Sequence, residues 1–220
     1  MKTNQEYKNA ALAVLNGNWA PVVVATIVMY LISFVVQLIV QPLTALADPE
    51  SQMTLFFVVF VGTMVVSSFV SVPVSVGYYN SLNKLYLDGD NRITSNMFSI
   101  GFARVLRYVG GMLLMGIYVF LWTLLLVVPG IIMAIAYSLT PFILKDYPEL
   151  SVGQAIQMSE KMMRGHKMRC FLLGLSFIGW ILLGILTLGI GYIWLIPYMY
   201  TTMAAFYQDV KNEYIANGNM

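Results

Sequence analysis

Residues 108–144 read YVGGMLLMGIYVFLWTLLLVVPGIIMAIAYSLTPFIL, thirty-seven positions without a charged side chain. A helix needs roughly 20 apolar residues to cross about 30 Å of hydrocarbon. This run is therefore too long for one crossing and too oily for a water-facing surface. It is interrupted at Pro129-Gly130, where proline removes a helical amide and glycine permits a turn. The stretch divides into two apolar helices, 108–128 and 130–144. Lys145 follows the shorter one and can extend to the headgroups.

The same pattern recurs outward from this stretch. Apolar runs cover 19–41, 53–77 and 170–208, and the last is broken at Leu188-Gly189-Ile190-Gly191 into 169–187 and 190–208. Of 220 residues, 59% are hydrophobic and 10% charged, with a mean hydropathy of +0.76. A soluble domain carries about 25% charged residues. This composition excludes a disordered chain, a soluble enzyme and, with Cys170 as the one cysteine, a disulfide scaffold. The expected fold is all-α: a polytopic membrane protein with six transmembrane helices arranged as three hairpins. It forms one membrane domain over 1–220, with units at about 1–80, 94–146 and 151–210.

The first run is expected to be a retained span, although Ala45-Leu46-Ala47 resembles a signal-peptidase site. A signal core is about 7–15 residues long, whereas Trp19–Val40 is 22 residues and follows a structured start. All twelve Lys and Arg residues fall on one side of the six spans, and the 42–52 loop holds only Asp48 and Glu50 as charges. Positive residues mark cytoplasmic loops, which places both termini in the cytoplasm. A four-span chain with two re-entrant hairpins has the same sidedness and stands as the alternative.

A short amphipathic helix is expected before each hairpin. In the first, Thr3 and Glu6 fit a capping box, and Tyr7, Ala10, Ala11 and Val14 share one face before Gly17. The second runs from Thr94 to Phe98, before Gly101. The third is the clearest: Ser151 caps with Gln154, and Val152, Ala155, Ile156, Ser159, Met162, Met163 and His166 share a face, closed by Gly165. Its other face carries Lys161, Arg164 and Lys167, with Arg169 following. An apolar side in the acyl boundary and a basic side toward anionic lipid is the interfacial pattern, so Lys161, Arg164, Lys167 and Arg169 are the candidate lipid contacts.

Catalytic chemistry finds little support. No acid or base lies inside an apolar run, which argues against proton relays and voltage sensors. One cysteine and one histidine (Cys170 and His166) cannot assemble a Cys/His zinc site, and His166 reads as an interfacial residue. Asp88-Gly89-Asp90-Asn91 lacks the glycine position and terminal glutamate of a calcium loop and reads as a tight turn. No catalytic residue, metal or cofactor is expected, and no nucleic-acid partner. Two polar stripes remain: Thr26, Tyr30, Ser33 and Gln37 on the first span, and Thr63, Ser67, Ser71 and Ser75 on the second. Small hydroxyl residues at this spacing suit helix packing. Thr26, Tyr30, Ser33, Gln37, Thr63, Ser67 and Ser71 could instead line a polar groove for an uncharged or lipid-like ligand. The tyrosines at span ends, among them Tyr78, Tyr79, Tyr137, Tyr147, Tyr198 and Tyr207, suit an aromatic belt.

Several of these segments carry a resemblance. Gly17-Asn18-Trp19, Pro129-Gly130-Ile131, Ala136-Tyr137, Ala155-Ile156 with Ser159 and Gly165, Phe177-Ile178-Gly179-Trp180, Leu186–Gly191, Pro197-Tyr198 and Ala205-Phe206-Tyr207 resemble the bacterial membrane proteins of domain-of-unknown-function family 975. The likeness is most specific from Pro129 to Tyr207, and His166 stands where asparagine is expected. It implies a multi-span protein of the bacterial cytoplasmic membrane and brings no activity and no site residues. The expected role is non-enzymatic, organising membrane lipids or partner proteins, or copies of itself, through the cytoplasmic amphipathic helices. The alternative is a small permease or exporter for a neutral or amphiphilic solute.

Overall fold

The computed structural model describes residues 2–44 and 53–218; Ala45-Leu46-Ala47 and most of the 42–52 loop lie outside the described residues. Among the described residues the chain is all-helical. The elements are α1 (Asn4–Leu15), α2 (Trp19–Thr44), α3 (Met53–Asp88), α4 (Ile93–Ala103), α5 (Val105–Leu125), α6 (Val127–Ala136), α7 (Thr140–Asp146), α8 (Val152–Met162), α9 (Lys167–Leu175), α10 (Ile178–Leu186) and α11 (Tyr192–Ala216). The short helices α1, α4 and α8 precede the apolar stretches that begin at Trp19, Val105 and Lys167.

Local sequence explains most boundaries. Both capping boxes form, Thr3 with Glu6 and Ser151 with Gln154, and Gly165 turns the chain after α8 at φ +80°, where glycine carries no Cβ penalty. The break in 108–144 falls at Leu126, which is extended, rather than at Pro129-Gly130. Pro129 instead occupies the first turn of α6, where its missing amide costs nothing. A second break, at Ser176-Phe177, separates α9 from α10.

Burial divides the molecule in two. One end is a packed head whose core joins Tyr7, Leu15, Val22, Tyr78, Leu82, Ile143, Phe206 and Tyr207 from five helices and Met163 from the cap of α8. The rest of α2 and α3, and the turns that join α5 to α6 and α10 to α11, carry mostly exposed apolar side chains: Leu126 is 69% and Leu188 94% exposed. Five stretches are long and apolar enough to cross a membrane: Trp19–Leu43, Met53–Asp88, Val105–Leu125, Val127–Asp146 and Lys167–Leu186. The expected sixth, at 190–208, lies in α11, which buries Thr201, Thr202 and Gln208 within the head and is too polar to join them.

Three expectations change here. Helix α3 runs eleven residues past the expected end at 77, because its last turns are covered by α4 and α11 rather than by lipid. The apolar face of α8, expected in the acyl boundary, is buried in protein: Ala155, Ile156, Ser159, Met162 and Met163 pack toward α5, α7 and α11. The same periodicity serves either partner, and the neighbouring helices supply a surface that fits it. Four of the expected belt tyrosines (Tyr78, Tyr137, Tyr198 and Tyr207) are likewise buried core residues.

Candidate functional site

The charges of the head work mainly as internal ties. Arg107 donates from its guanidinium to the carbonyls of Leu144 (3.1 Å), Tyr147 (2.9 Å) and Leu150. It thereby closes the C-terminal end of α7, where unpaired carbonyls accumulate. Asp146 receives Lys211 Nζ at 2.7 Å and the Tyr207 hydroxyl at 2.8 Å, fastening α7 to α11. Asp209 accepts the Tyr7 hydroxyl at 2.5 Å and the Lys2 amide at 3.2 Å, fastening α1 to α11. Burial alone would raise the Asp209 carboxyl, but the Tyr7 hydroxyl and the Lys2 amide hold it below the ordinary carboxylate value. Lys8 is buried, donating to the Ser176 carbonyl at 2.7 Å with its ammonium 4.2 Å from the Phe177 ring centroid. Burial lowers its pKa. Asp90 is clasped by Arg92 and Lys84, first Arg92 and then Lys84 holding its carboxyl far below the usual range. The 88–91 segment is the expected turn, with Gly89 at φ +69°.

A cavity of about 660 Å³ opens on the head between the α8–α9 bend and the end of α11. Lys161, Arg164, His166, Glu213 and Tyr214 line it. A second cleft of about 440 Å³ shares Lys161 and Tyr214 and continues to Tyr147, Gln154 and Gln157. His166 Nε2 stands 3.5 Å from Glu213, bridging the bend to α11. Of the four expected lipid-contacting cations, Lys161 and Arg164 are exposed and line this cavity; Arg169 is exposed elsewhere and Lys167 half-buried. Lys161 and Arg164 thus put two cations on the wall of a cavity that the Glu213 carboxylate also lines.

The polar stripes do not converge on one groove. Thr26 is buried and pairs with the Tyr78 hydroxyl and the Val22 carbonyl. Ser33, Thr63 and Ser67 each donate to a carbonyl of their own helix. Tyr30 and Gln37 are exposed, and Ser71 is half-buried. The cleft between α2 and α3 holds about 330 Å³ and is lined by Val40, Leu43, Val59, Gly62, Thr63 and Val66. Of the seven stripe residues only Thr63 reaches it. Sequence reasoning used Arg107, Asp146, Lys211 and Asp209 only to set sidedness or passed over them. Their signal was position, since each lies within a turn or two of an apolar run's end, where a charge can either snorkel or tie helices together.

Among the described residues, no three His, Cys, Asp or Glu side chains gather as metal ligands would. A family model described as "Protein of unknown function (DUF975)" matches residues 93–214. No curated protein and no solved structure matches.

Proposed function

This chain belongs to the DUF975 family of proteins of unknown function, and for it we propose a non-enzymatic role as an integral membrane protein that organises lipids or partner proteins at the cytoplasmic face. Three hairpins, α2–α3, α5–α6/α7 and α9/α10–α11, enter the bilayer of the bacterial cytoplasmic membrane from the head, each led by one of α1, α4 and α8. Sidedness follows from the cations, all of which lie at the head end of the expected spans; both termini are then cytoplasmic. The observation that carries the reading is the outer face of α8. Its apolar side is occupied by protein, while Gln157 stays exposed on the 440 Å³ cleft and Lys161 and, in the bend that follows, Arg164 stay exposed on the 660 Å³ cavity. Guanidinium and ammonium groups in such a place suit phosphate headgroups or an acidic partner surface.

The test is gentle extraction from native membranes followed by mass spectrometry of what stays bound. The expected result is a retained anionic phospholipid or a defined protein, lost when Lys161 and Arg164 are both changed to alanine. A clean preparation with neither, from the unaltered chain, would count against the reading.

A further inference from the structure

We propose that the hairpins α5–α6 and α10–α11 turn back inside the bilayer near its midplane, so that only α2 and α3 cross it. The molecule is then a wedge lodged mainly in the leaflet beside its head. This rests on the membrane reading above and carries the re-entrant alternative of the sequence analysis, rather than its six spans, down to two crossings.

Depth can be read against α8 and α2. The Ser159 hydroxyl of α8 donates to the Ala136 carbonyl at 2.8 Å and accepts the Leu139 amide at 3.2 Å. Helix α8 is thereby fixed at the base of α6. Its neighbouring Glu160, Lys161 and Arg164 need water or headgroups, so the base of α6 lies at the interface. Helix α6 has ten residues, and at about 1.5 Å per residue it reaches about 15 Å, half of a hydrocarbon core of about 30 Å. The other hairpin is gauged on α2. Leu188, Gly189 and Ile190 share a groove with Ile27, Tyr30 and Phe34. Those α2 residues stand 8 to 15 positions beyond Trp19, roughly 12–22 Å along the helix. Helix α2 continues ten residues further, to Thr44.

The tips also present apolar side chains outward. Residues 124–128 are five consecutive exposed apolar side chains, Leu-Leu-Leu-Val-Val. Leu188 is nearly fully exposed and held at φ +52°, a left-handed position where a polar or glycine residue is the ordinary choice in water. Hydrocarbon tolerates a turn only when its backbone groups are paired within the protein. The turn at 187–191 meets this: the Thr187, Leu188, Gly189 and Ile190 amides donate to carbonyls of Leu183, Ile185, Gly184 and Thr187. The Gly191 amide donates to the Thr187 hydroxyl at 3.0 Å, and that hydroxyl donates to the Gly184 carbonyl at 2.9 Å. The Thr123 hydroxyl near the other tip is satisfied by the Val119 carbonyl.

Single cysteines placed at Asp48, Leu126 and Leu188 in a full-length Cys170→Ser chain test this with a membrane-impermeant maleimide. Intact cells probe the outer side and inverted vesicles the head side. Asp48→Cys, in the loop between α2 and α3, is expected to label from outside at least tenfold faster than the tip cysteines. Leu126→Cys and Leu188→Cys are expected to stay unlabelled from both sides and to react once detergent and denaturant unfold the chain. Bimane on the tip cysteines should be quenched more by nitroxide near the acyl-chain end than by nitroxide at the headgroup. Tip labelling from outside at the Asp48→Cys rate would overturn re-entrance while leaving the membrane reading intact. Tip labelling from the head side would overturn it as well. An Asp48→Cys that cannot be reached from outside would bring down the crossing of α2 and α3, and with it both readings. Both tip positions are exposed, so substitution disturbs no packing, and monodisperse elution in detergent verifies each fold.

Discussion

Tyr7 and Asp209 are 202 positions apart and joined by a hydroxyl–carboxylate bond of 2.5 Å, which gives one residue pair a measurable share of the head's stability. Hydrogen bonds to a charged acceptor contribute about 1.5–3 kcal/mol, so Tyr7→Phe is expected to cost about 1–2 kcal/mol, allowing for the partial exposure of Asp209. The loss would be seen as a lower unfolding temperature in detergent at neutral pH. Because the folded Asp209 carboxyl lies below its ordinary value, its contribution is present above the unfolded value of about 3.9. It is lost as pH falls through the lower folded value. Wild type and Tyr7→Phe should therefore converge below about pH 4; an unchanging gap would show that the carboxylate is not the partner that matters. Arg107 makes a different case. Its planar fork serves three carbonyls at once, which a lysine cannot reproduce. Arg107→Lys should retain only part of the stability, and Arg107→Met should lose about 2–3 kcal/mol in the same thermal measurement, because the carbonyls around Tyr147 are left without that donor.

Between elements, the tightest approach is α3 on α4. A methyl group on Gly77 would overlap the Met97 carbonyl, and one on Gly101 would overlap the Pro73 carbonyl, so neither backbone has a flexible side chain that can yield. Gly77→Ala is expected to cost at least about 1–3 kcal/mol, the usual range for overpacking. Gly110→Ala, where a methyl meets open space, should be near neutral in the same unfolding assay. Equal effects would mean that α4 does not pack as described. The sequence revealed the lead-in helix before α5 only weakly and missed Gly77, since a close approach needs two glycines that are distant along the chain. What it disclosed well was periodic and local: both capping boxes, the turn at Asp88–Asn91, and the one-faced pattern of α8. The cover for that face could not be read, because Ala155, Ile156 and Met162 present the same stripe to a lipid tail as to α5 and α7. The candidate site divides in the same way. Lys161 and Arg164 were legible as an exposed basic face, while the cavity they line depends on α11 arriving beside the α8–α9 bend, a contact across some fifty residues.

At the scale of the molecule, hydropathy counts oily residues but carries no depth, and the depth proposed above rests on the fixed points on α8 and α2. With re-entrant hairpins, six helical segments occupy the leaflet next to the head and two occupy the other. For helices about 10 Å wide these are cross-sections of roughly 500 Å² and roughly 160 Å². Such a wedge expands one leaflet more than the other, and a bilayer relieves that mismatch by curving with the larger leaflet on the convex side. Chains reconstituted with the head outward, as verified by protease access to α8, are therefore expected to shift vesicles toward smaller diameters as the protein-to-lipid ratio rises. Electron cryomicroscopy of the vesicle population would read the shift. Leu126→Asp with Leu188→Asp supplies the control: a carboxylate at membrane depth costs about 2.5–3.5 kcal/mol per site on insertion scales, so the tips should withdraw while α2 and α3 still anchor the chain. Vesicles carrying this variant should keep the larger diameter of protein-free ones. Equal shrinkage by both chains would assign the curvature to the head alone, and no shrinkage with the unaltered chain would mean that its cross-section is balanced between the leaflets.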